Sequence, residues 1–165
     1  MRPSALLPLL LLVPGIAAAQ IGGGGAKADP RVATALRSIG VSSEIDDDQD
    51  YKLVLDVDDD GDRTQIVYII SSTERYGNLE IREIWAPAFK TGGRLDADVA
   101  RKMLAMNERM KLGAWRLYGE GDDQMAVYAV QIDADANAEA MRSALRIVVQ
   151  VADAEELTQT GKDDY

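Results

Sequence analysis

Three stretches in the first half of the chain alternate apolar and polar residues with a period of two. In YKLVLDVD (51–58), Tyr51, Leu53, Leu55 and Val57 fall on one side. In RTQIVYIIS (63–71), Ile66, Tyr68 and Ile70 share one side, and Val67 and Ile69 share the other. NLEIREIW (78–85) sets Leu79 and Ile81 against Glu80 and Arg82. Successive strand side chains point to opposite faces, so each stretch predicts a β-strand, with turn residues between them. Pro87 in APAFKTGG is expected to end the third strand, because proline has no N–H to give to a ladder. AWRLY and QMAVYAVQI repeat the pattern around GEGDD and predict a hairpin.

Elsewhere the apolar spacing is helical. DPRVATALRSIG carries a full set of local signals: Asp29 as cap, Pro30 at the first helical position, and Gly40 just past the end. Val32, Leu36 and Ile39 then share one face. A second helix is predicted through DADVARKMLAMNERMK, with Val99, Met103, Met106 and Met110 as its stripe and Gly113 as its stop. The bland reading of those methionines is packing onto the sheet; the sharper one is an adaptable docking surface.

A third helix is predicted from DADANAEAMRSALRIVVQVADAEE, capped by Asp133 or Asp135, although the β-branched run RIVVQV would also suit a strand. Met141, Ala144, Leu145, Val148 and Ala152 make its apolar face, and Ile147 and Val151 widen it sideways. A face that wide implies deep burial or a partner. The order is αβββαββα, an α+β domain over residues 29–157 in which helices cover an antiparallel sheet, followed by a polar tail, 158–165.

The N-terminus changes the expected location. MRPSALLPLLLLVPGIAAAQ has one basic residue, Arg2, then an apolar run from Ala5 to Val13, then Ala17-Ala18-Ala19. That is the layout of a secretory signal peptide over 1–19, cleaved after Ala19; the apolar run is shorter than the roughly 20 residues a membrane span needs. QIGGGGAKA (20–28) reads as a flexible tether. The expectation is a periplasmic or secreted bacterial protein, off the membrane once cleaved.

Charge and composition then remove whole classes of function. The formal charge of −10 repels a phosphate backbone, so nucleic-acid binding is not expected. Cysteine and histidine are both absent. Within the chain there is thus no disulfide, thiolate nucleophile, zinc–thiolate site or imidazole base, and no Ser-His-Asp or Cys-His mechanism. No cofactor is expected.

One stretch still suggests a ligand. DVDDDGDRTQIV (56–67) places Asp56, Asp58, Asp60 and Gly61 at the first, third, fifth and sixth positions of a calcium loop. The twelfth position is Val67, which cannot ligate, and the flanks are strands where helices are needed. A hairpin turn explains the stretch better. A weak calcium module using Asp56, Asp58 and Asp60 remains the alternative. Another alternative is a carboxylate hydrolase, although no acidic pair stands out from an acidic surface. Trp85, Phe89 and Trp115 are read as core or core-edge residues, with interface anchoring as the sharper role for Trp85 and Phe89.

With these segments in view, the chain resembles the YbjN-domain family, also called sensory-transduction regulators. The likeness runs from about Asp29 to Leu157. It is carried by TQIVYIIS, LEIREIWAPAF, MLAMNERMKLGAWRLYGEG and AVYAVQIDADANAEAMRSALRIVVQVADAEE. The resemblance implies a fold like that of type III secretion chaperones, which are small, acidic and commonly dimeric, and it transfers no active-site residues. The leading expectation is an exported, non-enzymatic domain that binds a protein or peptide partner, with stress adaptation as the process in view and a homodimer as one form. Ile147, Val151, Trp85 and Phe89 are its candidate contact residues.

Overall fold

The computed structural model describes residues 27–58 and 61–165. The expected signal peptide, 1–19, and most of the expected tether, 20–28, therefore lie outside the described residues, as does Asp60. The first helix, α1 (Pro30–Ile39), begins and ends where its local signals place it. The Asp29 side chain accepts the Arg31 N–H, and Gly40 turns left-handed at φ 73° to close the last turn. Strands β1 (Glu44–Ile45), β2 (Tyr51–Asp56), β3 (Thr64–Tyr76) and β4 (Leu79–Lys90) follow, then α2 (Ala97–Arg109), β5 (Ala114–Tyr118), β6 (Met125–Asp133) and α3 (Ala138–Thr160). The six strands form one antiparallel sheet in the order β1-β2-β3-β4-β6-β5. The α+β class stands as expected. The added strand, β1, is two residues long, too short to leave an alternation in the sequence.

The main core lies between one face of the sheet and the helices. From α3, Met141, Ala144, Leu145, Val148, Val149 and Ala152 are buried against β3, β4 and β6. The β-branched run thus sits in a helix, because its apolar residues meet the sheet at helical spacing. Each of the buried Met, Leu and Val side chains contributes roughly 1.5–3 kcal/mol on burial, an upper bound since unfolded chains are already partly compact. The α2 stripe packs as its bland reading held: Met103 is buried, and Val99, Met106 and Met110 rest on the same core.

Four local expectations are corrected. Pro87 does not end its strand; β4 runs on to Lys90, with a register shift between Pro87 and Phe89 opposite β6. A bulge tolerates a residue without an N–H, and the Pro87 carbonyl is used by the buried Gln65 side chain at 2.8 Å. The cap of α3 is Asn137, whose side chain accepts the Ala140 N–H at 2.9 Å; Asp133 instead closes the preceding turn onto the Asp135 N–H. Gly113 is not the stop of α2, which ends at Arg109. Its role is entry into β5: φ is 87°, and a Cβ there would stand 2.5 Å from Val130 and 2.6 Å from the Ala129 carbonyl. Finally, the tail after α3 is docked. Tyr165 O accepts from Ile66 N at 3.1 Å, and Glu156 accepts from Asp164 N at 2.6 Å.

Candidate binding face

The other side of the sheet carries a second apolar cluster made entirely of strand residues. Ile70, Trp85, Val127 and Ala129 are buried there, with Tyr68 and Met125 packed against them. Among the described residues no helical side chain joins this cluster. Register explains its membership. Directly paired residues share a face, and Tyr68, Trp85, Ala129 and Ala114 form one row across β3, β4, β6 and β5. The two alanines leave room for the indole to lean over β6. Trp85 stacks on Tyr68 at 4.4 Å and on Tyr118 at 5.1 Å between ring centroids. Offset stacks of this kind hold aromatic rings in place, each worth about 0.5–1.5 kcal/mol beyond the area they bury.

The stack is half hidden and half available. Trp85 is only 8% exposed, whereas Tyr118 at its end is 37% exposed and Val54, on the same face, 61%. The Trp85 indole N–H is buried and has no hydrogen-bond acceptor. Polar groups edge the cluster: Glu83 receives Arg116 and, at 2.8 Å, the Gln131 amide. An aromatic centre with a polar rim is the anatomy of a protein-contact surface.

A buried ion network fixes one end of the sheet and the start of α1. Between the pairs Ile69–Ile84 and Thr73–Arg82, three residues of β3 oppose Glu83 alone. The carbonyls of Ile70 and Ser71 at this bulge are taken by the fully buried Arg82 guanidinium at 2.7 and 3.1 Å. Arg82 also pairs with Asp29, which caps α1, and Arg31 joins Asp29, Glu80 and Asp135. Burial works to raise the Asp29 carboxyl, but hydrogen bonds from Arg31 and Arg82 outweigh it and hold it down at about 2. Hydrogen bonds from Arg31 and Thr73 likewise lower Glu80 to about 2.

The four candidate contact residues do not come together. Trp85 lies on the open face, Phe89 is buried in the main core, and Ile147 and Val151 are half-buried against that core on the flank of α3. The acidic loop behaves as a turn where it is described. Asp56 and Asp58 are exposed, and Asp58 accepts the Gly61 N–H at 3.2 Å. Tyr68 and Tyr118 were not singled out as contacts from sequence. For Tyr68 and the apolar residues around it the signal was present in the strands that are apolar on both sides, IVYII and MAVYAV, since a one-sided sheet needs only alternation; Tyr118 lies in neither stretch.

Taken together, these features define an α+β domain of one antiparallel sheet, with three helices packed on one face and an aromatic cluster on the other. The YbjN family model, whose description is "Putative bacterial sensory transduction regulator", matches residues 29–154. The chain therefore belongs to the YbjN family. The chain is also similar to a crystal structure of YbjN, described as a putative transcription regulator from E. coli, with 14% identity and a TM-score of 0.47; the match covers 77% of this chain and 88% of that one. No curated protein matches the chain.

Proposed function

We propose that this member of the YbjN family is an exported, non-enzymatic regulatory module that acts by binding a protein partner on the open face of its sheet. The observation that carries the reading is the stack of Tyr68, Trp85 and Tyr118 on a sheet face to which no described helix contributes. Sheets in soluble domains bury their apolar faces, and large exposed aromatic surface with a polar rim marks contact sites. Export rests on the Arg2, apolar-run and Ala17-Ala18-Ala19 pattern. The absence of cysteine and histidine removes the thiolate nucleophile and the commonest general base and favours a binding role over a catalytic one.

The test is a pair of variants, Tyr118→Lys and Tyr68→Lys, compared with the wild-type chain for partner capture from an extracytoplasmic extract. Tyr118→Lys is expected to melt close to wild type and Tyr68→Lys a few degrees lower, since it gives up the tighter stack on Trp85. Both are expected to stay folded and to lose a partner that the wild type retains. Equal capture by variant and wild type would contradict the reading.

A further inference from the structure

The carboxylates that converge in this protein are not those of the acidic loop. Asp153 and Glu156 of α3 and Asp163 of the tail each offer an oxygen, and the three oxygens lie within 4.8 Å of one another. Ligands placed opposite each other across one calcium ion stand about twice 2.4 Å apart, so this span suits a shared ion. We propose that Asp153, Glu156 and Asp163 form a site for a hard divalent cation, of calcium's size, that ties the tail to α3 and the start of β3.

Arg63 is the competing explanation, because it sits beside all three groups. Its Nε donates to one oxygen of Asp153 at 2.6 Å. Its Nη2 stands 3.9 Å from Glu156 and 3.8 Å from Asp163, beyond hydrogen-bond reach. One guanidinium therefore faces three carboxylates, and two negative charges are left over. The second observation is an orphan. Glu156 is fully buried; one of its oxygens accepts the Asp164 N–H, while the other, Oε2, is buried with no hydrogen-bond partner, and Arg63 Nη2, buried and equally without one, stops 3.9 Å short of it. An unpaired buried carboxylate oxygen is costly, and a cation supplies what it lacks. All-oxygen donors select calcium, magnesium or manganese over softer metals.

The arrangement also predicts a weak site. Three protein ligands and a neighbouring guanidinium place the affinity in the range of extracellular calcium modules, a Kd on the order of 10⁻⁴–10⁻³ M. An ion there would strengthen the contacts that seat the tail, Asp164 N on Glu156 and Ile66 N on Tyr165 O.

Calorimetric titration of the purified chain with calcium chloride, and separately with magnesium chloride, tests the proposal. One saturable site is expected, with a matching rise in melting temperature. Glu156→Gln and Asp163→Asn should each weaken it at least tenfold, while Asp56→Asn with Asp58→Asn leaves it unchanged. Absence of binding up to about 10 mM, tenfold above the expected range, would overturn it. So would equal binding in the two site variants, or loss only in the loop variant. Should Glu156→Gln fail to fold, Asp163→Asn decides alone, since Asp163 is more exposed and holds Arg63 only at 3.8 Å. This result is independent of the open-face reading, which calcium does not enter.

Discussion

The two faces of the sheet are both apolar at their centres, yet they are finished differently. On one face, α1, α2 and α3 close over Leu53, Val67, Ile69, Ile84 and Tyr128, and the buried residues interlock with α3 in particular. On the other, strand side chains cover one another, with Trp85 between two tyrosines and Tyr118 left partly in solvent. The first arrangement is what stability requires of a chain without disulfides. The second leaves apolar surface that stability alone does not explain. The difference ties the covered face to folding, and on the reading proposed above it leaves the open face for contact.

The comparison breaks first if the ion network holding the covered face together proves dispensable. Replacing Arg82 with alanine leaves Asp29 short of a buried partner and frees the bulge carbonyls of Ile70 and Ser71. Loss of one member of a buried pair costs about 3–5 kcal/mol, so chemical denaturation should show a loss of that size. Next in size, Leu145→Ala removes a side chain of the main core and should cost about 2–4 kcal/mol by the same measurement.

Acid should loosen the same network in a defined window. Asp29 and Glu80 are both held at about 2, below their ordinary values of 3.8 and 4.5. A carboxyl lowered by folding stabilises the folded state above its unfolded pKa. That contribution is complete above about pH 4.5 and is lost as pH falls towards 2. Burial pushes Glu156 in the opposite direction, so protonating it favours the folded state. Melting temperature against pH, in wild type and in an Asp29→Asn, Glu80→Gln variant, should show a shallower acid decline in the variant. The smallest stability effect is expected on the open face. Tyr118→Lys should cost about 0.5–1.5 kcal/mol, the worth of its stack on Trp85, because the ring is otherwise partly solvated, while it removes partner binding.

How much of this was legible in sequence follows from how local each determinant is. The ends of α1 were readable because Asp29, Pro30 and Gly40 act within one turn. Pro87 was misleading because the bulge that accommodates it is set by β6, a partner nearly forty residues away. The β3–β4 hairpin misled in a different way. Alternation set Leu79 and Ile81 against Glu80 and Arg82 as the apolar side, but Leu79 is 47% exposed and Arg82 is fully buried. What makes that burial tolerable is Asp29 and the two bulge carbonyls, none of them visible from the arginine's own neighbours in the chain. Trp85 stood out as a large aromatic. Its stacking on Tyr68 and Tyr118 depends on small residues at Ala129 and Ala114, and no single stretch of sequence shows that. The convergence of Asp153, Glu156 and Asp163 was hidden likewise, because the stretch after α3 reads as a plain polar tail.

The central claim, that the open face is where this protein meets its partner, is tested most directly by site-specific photocrosslinking in cells that make the full chain. A benzophenone amino acid is placed at position 118 on the open face and, in a second strain, at position 147 on the flank of α3. The account predicts a discrete crosslinked adduct from position 118 and none from position 147. An adduct formed from position 147, with none from position 118, would contradict it.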